Sequence, residues 1–238
     1  MAMCGNAADL AIIAFDADDT LWQNEQFYRL THDRFAALMA DYAPPEGLKQ
    51  RLLEAEVRNL GRYGFGIKGF TLSMIETAIE VTEGRVPASV ISDLIAAGQD
   101  MLAHPVHLLP HADSVLAEVA QRYTVLLITK GDLLDQERKL AQSGLGDYFD
   151  GVEIVSDKTE DVYRRIFARR GVAAEQVMMV GNSLKSDVLP VLGVGGWGVH
   201  VPHDLTWSYE AAEAPVKAER FRALRDLGEL PELLNELR

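Results

Sequence analysis

The second half of the chain alternates between short apolar segments and helical patterns, and this alternation restricts the fold more than any other feature. Near-continuous apolar strands separated by helices are typical of a parallel sheet that is covered on both faces. We therefore predict an α/β fold built on a parallel sheet. The predicted strands cover 123–129, 152–155, 177–180 and 198–201, and the predicted helices between them cover 112–121, 132–142, 160–170 and 185–192.

An apolar segment at 10–15 is separated from these strands by about eighty residues without a convincing strand. It must join the same sheet, because a single strand is not stable alone. Four amphipathic stripes in the intervening region predict four helices. We therefore predict two domains, a Rossmann-like sheet domain over 1–21 and 105–238 and an inserted α-helical domain over 22–104. The chain is predicted to close with a helix over 227–237.

Composition excludes several classes of partner and location. The 238 residues carry a net charge of -13, which argues against nucleic acid or an anionic membrane as the main partner. No apolar run approaches the roughly 18 residues that a membrane-spanning helix needs. The N-terminus lacks the positive leading segment of a signal peptide, and the single cysteine, Cys4, cannot form an internal disulfide. We expect a cytoplasmic enzyme.

Three carboxylates and a hydroxyl follow the first strand: Asp16, Asp18, Asp19 and Thr20. Like charges this close disfavour each other's ionisation unless a cation or strong hydrogen-bond donors lie among them. A turn with a helix cap on Asp19 or Thr20 would also explain these residue types. The stretch by itself leaves both interpretations open.

Further polar residues follow the other predicted strands. They are Thr129 and Lys130, then Lys158, and then the loop 181–187 with Asn182 and Asp187. In an open parallel sheet, ligands bind outside the carboxyl ends of the strands. Hard oxygen ligands suit a magnesium ion, whereas a hydroxyl, a lysine and the amino end of a helix suit a phosphate. The combination favours a functional site over a helix cap.

Four segments in this order resemble the motifs of the haloacid dehalogenase-like superfamily of phosphohydrolases. The first motif is Asp16-Ala17-Asp18-Asp19-Thr20, and the second is the apolar segment that ends at Thr129. The third is Lys158 before a helix, and the fourth is the loop 180–187. The inserted region resembles the helical (C1-type) cap of one branch of this superfamily, so that the resemblance covers nearly the whole chain.

The resemblance implies a role for each matched residue. Asp16 would attack phosphorus and become an aspartyl-phosphate. Asp18 would protonate the leaving alcohol and then activate water, and we expect neighbouring negative charge to raise its pKa. Mg²⁺ would be held by the carboxylate of Asp16, the main-chain carbonyl of Asp18, Asn182 and Asp187. Thr129 and Lys158 would bind the phosphoryl oxygens, and Lys130 would either touch the phosphate or face solvent.

Two positions depart from the superfamily pattern. Asp19 stands where glycine is common, and we expect its side chain to point away, capping a helix or facing solvent. Asn182 stands where the fourth motif usually has an aspartate. An amide oxygen ligates magnesium without adding negative charge, so Asp187 is expected to carry more of the metal binding.

The helical insertion contains a loop that matches Gly-x-Gly-x-x-Gly at 64–69, but it follows a helix and has no βαβ context, so we reject a dinucleotide site. The loop is either a flexible connector or a substrate-selecting element. In the second case Arg62, Tyr63 and Lys68 would offer charge and stacking to the leaving group.

The sequence therefore predicts a Mg²⁺-dependent phosphatase that acts on a small phosphorylated metabolite. A phosphomutase would use the same aspartyl-phosphate. A metal-independent 2-haloacid dehalogenase is a further alternative, but the resemblance implies that such enzymes lack the second acid of the first motif, so Asp18 favours phosphate esters. A phospho-receiver module also combines acids, a threonine and a lysine, but it needs no helical insertion.

Overall fold

A computed structural model describes residues 10–238, apart from the side chains at 45 and 46. Cys4 lies outside the described residues. The described part contains a sheet of six parallel strands in the order β3-β2-β1-β4-β5-β6, with the first strand in the middle. The α/β prediction is confirmed. The strands are β1 (Ile12–Phe15), β2 (Thr124–Lys130), β3 (Gly151–Val155), β4 (Val177–Gly181), β5 (Trp197–His200) and β6 (Phe221–Ala223).

Successive side chains of a strand point to opposite sides of the sheet. Both faces of this sheet therefore carry apolar side chains, and helices cover both faces. Ile13 and Phe15 of β1 belong to a buried cluster on one face. Ile12 and Ala14 belong to the cluster on the other face. The first cluster includes residues of α5 (Ala112–Val119), α6 (Leu133–Ser143) and α9 (Leu230–Glu236), and the second includes residues of α7 (Glu160–Arg170) and α8 (Leu189–Gly193).

Two elements differ from the sequence prediction. Strand β6 was not predicted, because its three residues include only one large apolar side chain, Phe221. The helix predicted over 185–192 is instead a π-helical turn, Leu184–Val188, followed by α8. Pro190 has no N–H to donate to the carbonyl of Ser186, and this carbonyl accepts a hydrogen bond from the Tyr163 hydroxyl at 3.0 Å.

The described chain forms two compact units. The sheet unit contains the described residues up to Gln23, together with Val106–Lys130 and Gln136–Arg238. The helical unit contains Asn24–Pro105 and the short segment Gly131–Asp135. The chain leaves the sheet unit after Lys130 through Gly131, whose φ of 143° is one that residues with a side chain rarely adopt.

The helical unit packs four helices around a core of its own, which includes Phe35, Leu52, Met74 and Leu94. No helix within residues 10–238 combines the length and the apolar character needed to cross a membrane. The assignment of 22–104 as a functional cap stays a prediction. The helices are α1 (Glu25–Leu38), α2 (Pro45–Tyr63), α3 (Ile67–Val81) and α4 (Ala88–Ala103).

Candidate active site

The carboxyl ends of the three central strands bring the first, second and fourth motifs to one edge of the sheet. Strand β1 lies between β2 and β4, with Phe15 opposite Leu127 and Val180. Asp16 follows directly after β1, while Thr129 lies near the end of β2 and Asn182 follows β4. The third motif, Lys158, comes from the loop between β3 and α7.

Lys158 connects two carboxylates of different motifs. Its ammonium group donates hydrogen bonds to Asp16 Oδ1 and, at 2.7 Å, to Asp187 Oδ1. All three side chains are buried. Burial lowers the pKa of Lys158, but the two carboxylates raise it more strongly, so that its pKa lies above the ordinary value and the ammonium stays charged.

Asp16 lies in a site with an excess of negative charge. Burial raises its pKa, the charge of Lys158 lowers it, and the charge of Asp187 raises it again. The balance raises the pKa of Asp16 to about 7. A second cation beside Asp16 would favour its ionised, nucleophilic form.

Thr20 joins Asp16 to the fourth motif. Its hydroxyl lies 3.3 Å from both Asp16 Oδ2 and Asn182 Oδ1, and it accepts the N–H of Asn182 at 3.0 Å. The oxygens of Asp16 and Asn182 therefore converge on one hydroxyl. A Cβ at Gly181 would overlap the carboxylate of Asp187, so glycine at the end of β4 lets this carboxylate approach the main chain.

The donor set fits a magnesium ion in its chemistry. Among residues 10–238, no cluster of three or more His, Cys, Asp or Glu side chains is arranged to hold a metal. The site instead offers two carboxylates, Asp16 and Asp187, that share Lys158, and the nearby amide oxygen of Asn182. Carboxylate and amide oxygens are ligands that Mg²⁺ accepts, usually together with water.

Asp18 has a different set of partners from Asp16. Lys139 Nζ lies 2.7 Å from both of its carboxylate oxygens. Trp22 Nε1 donates to Oδ1 at 2.7 Å, and Gln136 Nε2 donates to Oδ2 at 2.8 Å. We call Lys139, Gln136 and Trp22 the Asp18 clamp.

The expected rise in the pKa of Asp18 is wrong. Burial does raise this pKa, but the charge and hydrogen bonds of Lys139, with those of Gln136 and Trp22, outweigh burial and lower it below the ordinary value. The prediction considered only neighbouring carboxylates, because a cation from α6 is not visible in the local sequence. In this state Asp18 is ionised at neutral pH.

Thr129 and Lys130, both predicted to bind phosphate, lie at the end of β2 but differ in their surroundings. Thr129 is buried. Lys130 is mostly buried and does not face solvent. Its ammonium contacts Glu210 Oε1 at 2.5 Å and Ser186 Oγ at 2.7 Å, and 15% of its side chain is exposed.

Asp19 does not face solvent, which corrects that alternative of the prediction. It is buried, and His203 Nε2 lies 3.7 Å from its carboxylate. Its φ of 61° is in the left-handed region, where aspartate is tolerated better than most residues. Glycine adopts such a backbone without strain, which agrees with the glycine that the resemblance implies at this position.

The predicted substrate-selecting residues lie in the helical unit. Tyr63 donates its hydroxyl hydrogen to Glu76 at 2.8 Å, and Lys68 contacts both carboxylate oxygens of Asp132 at 3.0 Å. Arg62 is exposed in the last turn of α2. Tyr63 and Lys68 therefore both have partners within their own unit.

Residues near the site that the sequence interpretation did not assign include Lys139, Gln136, Thr20 and Glu210. Lys139 and Gln136 are three residues apart on α6, on the side that also carries the partly buried Leu140. A lysine on the apolar side of a short helix was a usable signal. Thr20 stood in the quoted motif without a role, whereas Glu210, from a turn after β5, had no sequence signal.

Comparison with known proteins places the chain in a family. The model of the haloacid dehalogenase-like hydrolases matches residues 10–195. The chain belongs to the haloacid dehalogenase-like hydrolase family. This confirms the resemblance on which the interpretation of the four motifs rests. No match was found among curated proteins.

Solved structures match over almost the whole chain. A haloacid dehalogenase-like family hydrolase from Xanthomonas campestris is 41% identical, with a TM-score of 0.86 over 96% of this chain and 92% of that one. The putative HAD-hydrolase YfnB from Bacillus subtilis, bound to magnesium, is 18% identical, with a TM-score of 0.67 over 95% and 99%. A 2-haloacid dehalogenase from Pseudomonas syringae pv. tomato is 19% identical, with a TM-score of 0.61 over 96% and 100%. The last two matches show the fold alone.

Proposed function

We propose that this hydrolase is a Mg²⁺-dependent phosphatase of small phosphorylated metabolites that acts through an aspartyl-phosphate on Asp16. The observation that carries the proposal is the pair of carboxylates in one loop. Asp16 contacts Lys158 and Thr20, and a second acid, Asp18, follows two residues later. A phosphate ester needs such a second acid, because its alcohol leaves as an alkoxide that must be protonated.

The reaction proceeds in two displacements. A carboxylate oxygen of Asp16 forms a bond to phosphorus while the bond from phosphorus to the alcohol oxygen breaks, and Asp18 gives its proton to that oxygen. Water then attacks the same phosphorus while Asp18 takes a proton from it, and the bond to Asp16 breaks to release phosphate. Each half-reaction has a lower barrier than direct hydrolysis.

Lys158 and Thr129 are the proposed phosphate-binding residues of this chain. Lys158 also offsets the charge of Asp16, with which it forms an ion pair. Asp16, the main-chain carbonyl of Asp18, Asn182 and Asp187 are the proposed magnesium ligands. Bound Mg²⁺ would supply positive charge beside the phosphoryl oxygens and lower the cost of bringing an anion to these carboxylates.

We further propose that the helical unit acts as a cap that selects the metabolite and that the enzyme is cytoplasmic, with no nucleic acid or membrane partner. Arg62 is the better candidate for a direct substrate contact, because Tyr63 and Lys68 already have partners in Glu76 and Asp132.

A metal-independent 2-haloacid dehalogenase is the second candidate, and one observation favours it. The four contacts of the Asp18 clamp hold Asp18 as a carboxylate, and a halide leaves without needing a proton. Under the phosphatase proposal, Asp18 must therefore take up a proton or leave the clamp during the first displacement. A phosphomutase shares the first displacement and differs in the acceptor of the phosphoryl group.

A substrate screen separates these activities. The protein is incubated with a panel of phosphorylated metabolites and with 2-haloacids, each with Mg²⁺ and with EDTA. We expect phosphate release that requires Mg²⁺ and no halide release. Halide release that persists in EDTA would contradict the phosphatase proposal, whereas activity that depends on an added sugar bisphosphate would indicate a mutase.

A further inference from the structure

Glu210 is a buried carboxylate that belongs to none of the four motifs. It ends a short turn, Ser208–Glu210, that follows β5. Its Oε1 contacts Lys130 Nζ at 2.5 Å, and its Oε2 accepts hydrogen bonds from Ser183 Oγ and Ser186 Oγ, each at 2.5 Å. Only 11% of its side chain is exposed. Its partners come from the end of β2, which carries Lys130, and from the loop of the fourth motif after β4, which carries Ser183 and Ser186.

The two serines connect Glu210 to Asp187. The N–H of Ser183 donates to Asp187 Oδ2 at 2.9 Å, and the N–H of Ser186 donates to Ser183 Oγ at 3.0 Å. Ser186 Oγ also accepts a hydrogen bond from Lys130. Because an ionised carboxylate can only accept hydrogen bonds, both serine hydroxyls donate to Glu210. One residue, Ser183, thus separates Glu210 from the carboxylate of Asp187.

The charge state of Glu210 agrees with this arrangement. Burial raises its pKa, but the charge of Lys130 and the hydrogen bonds from Lys130, Ser183 and Ser186 lower it below the ordinary value. Glu210 is therefore ionised and forms a mostly buried ion pair with Lys130. Breaking a buried ion pair by removing one member is strongly destabilising.

A second contact holds the same two segments together. Lys185 Nζ lies 3.3 Å from the centre of the Tyr209 ring and donates to the main-chain carbonyl of Tyr209 at 2.9 Å. Tyr209 precedes Glu210, and Lys185 lies between the two serines. The turn after β5 is therefore attached to the loop of the fourth motif at two adjacent residues.

We propose that Glu210 is a positioning residue that fixes Asp187 for a divalent cation by holding Ser183, Ser186 and Lys130 in place. This inference rests on the proposed function for the identity of the cation. It also assigns Lys130 to this group instead of to the substrate phosphate. The role is one of support, since Glu210 acts through Ser183 and need not touch the metal or the substrate.

The test is calorimetric titration of the purified full-length protein with MgCl₂ in the absence of substrate. Groups that orient metal ligands typically change metal affinity by about 10-fold to 100-fold when they are removed, so we expect Glu210→Gln to raise the Kd for Mg²⁺ by about tenfold. Glu213→Gln removes the same charge from an exposed position of the same segment and is expected to leave the Kd unchanged. Circular dichroism verifies that each variant is folded.

Each outcome decides the inference. A Kd of Glu210→Gln within twofold of the wild-type value, or an equal rise in Glu213→Gln, would overturn it. If Glu210→Gln does not fold, Ser186→Ala is measured instead, because it removes one of the hydroxyls that bind Glu210 with little change in volume. We then expect a smaller rise in the Kd for Mg²⁺, and an unchanged Kd would overturn the inference. Wild-type protein that does not bind Mg²⁺ would overturn both the inference and the metal dependence of the proposed function. Binding that is weakened by Glu210→Gln, with no phosphatase activity in the wild type, would support the inference and overturn the proposed function.

Discussion

Asp16 and Asp18 are separated by one residue, but their carboxyl groups lie in opposite electrostatic environments. Both are buried, and burial alone raises the pKa of each. Asp16 shares the single ammonium of Lys158 with Asp187, so its surroundings keep an excess of negative charge and its pKa rises to about 7. Asp18 has the ammonium of Lys139 on both of its oxygens, and its pKa falls.

The difference shows that the roles of neighbouring acids depend on which element supplies the cation. Lys158 comes from the loop before α7 and contacts the carboxylates of Asp16 and Asp187, whereas Lys139 comes from α6 and contacts both carboxylate oxygens of Asp18. Environments that separate the pKa values of two acids are typical of acid–base pairs in active sites. Without a further cation the order is the reverse of the proposed roles, because the nucleophile Asp16 has the raised pKa. The proposed Mg²⁺ would supply the positive charge that favours ionised Asp16.

The largest expected effect follows from changing Asp16. Asp16→Asn should lower the rate of phosphate ester hydrolysis by at least about 10⁴-fold, because loss of a nucleophile usually removes most of the catalytic effect. Asp19→Asn is the matched control, since asparagine also tolerates the left-handed backbone at that position. Steady-state kinetics with p-nitrophenyl phosphate measures both variants. A wild-type rate in Asp16→Asn would show that the assignment of the nucleophile is wrong.

The second effect concerns the Asp18 clamp. Lys139→Met keeps the length of the side chain and removes its charge, which leaves burial to raise the pKa of Asp18. Hydrolysis of the aspartyl-phosphate needs ionised Asp18, so we expect kcat to fall by about 100-fold, within the range of general acid–base catalysis. The fall should be similar for an alkyl phosphate and for p-nitrophenyl phosphate, because both pass through the same intermediate, and Lys139→Arg should restore part of the rate. A loss confined to the alkyl phosphate would show that Lys139 acts on the first displacement instead.

The same variant predicts a shift in pH dependence. Lys139 lowers the pKa of Asp18, so its removal leaves burial to raise that pKa. The second displacement needs ionised Asp18, and protonation would then begin at a higher pH. The acidic limb of the kcat profile of Lys139→Met should therefore move to higher pH, and an unchanged limb would contradict the role of Asp18 as the base.

A smaller effect, on stability, is expected from changing Thr20, whose hydroxyl contacts Asp16. Thr20→Val has nearly the same shape but leaves the N–H of Asn182 without the acceptor that it has at 3.0 Å. The free energy of unfolding should fall by about 1 to 2 kcal/mol, the cost of an unmade hydrogen bond in a protein interior. Thr20→Ser, which keeps the hydroxyl, is the control. Urea unfolding measures the difference, and equal stability of the valine and wild-type proteins would contradict the hydrogen bond.

The smallest effect on kcat and stability is expected from changing Gln136, which donates a hydrogen bond to Asp18. Gln136→Met removes one donor to Asp18 but keeps Lys139. It also removes Gln136 Oε1, a buried oxygen for which the described residues provide no hydrogen-bond partner. We expect kcat to change by less than about threefold and stability by less than about 1 kcal/mol, because the lost hydrogen bonds are partly offset. A loss as large as that of Lys139→Met would show that the amide, and not the ammonium, dominates the clamp.

Much of the site could be predicted because it follows from strand ends. The apolar segments located β1, β2 and β4, and the carboxyl ends of adjacent parallel strands meet at one edge. This reasoning is sufficient to predict that Asp16, Asn182 and Asp187 lie close together. The third motif, Lys158, was located by the same reasoning, because it follows the predicted strand 152–155, and the resemblance added its role.

The partners of these residues could not be predicted in the same way. The pattern of α6 indicates which side of the helix is buried, but not that Lys139 on that side contacts Asp18, 121 residues earlier in the chain. Glu210 reaches Ser186 from 24 residues away, from a short 3-10 helical turn that no sequence pattern indicates. Such pairs depend on three-dimensional packing, and so do the opposite pKa shifts of Asp16 and Asp18.

Trapping of the intermediate tests the central claim most directly. Wild-type protein is mixed with a substrate that carries a ³²P-labelled phosphoryl group and Mg²⁺, quenched in acid within milliseconds, digested with protease and mapped by mass spectrometry. We predict acid-stable, hydroxylamine-sensitive label on the peptide that contains Asp16, and no label in Asp16→Asn. Turnover of the same substrate without label on that peptide, or with label on another residue, would contradict an aspartyl-phosphate at Asp16.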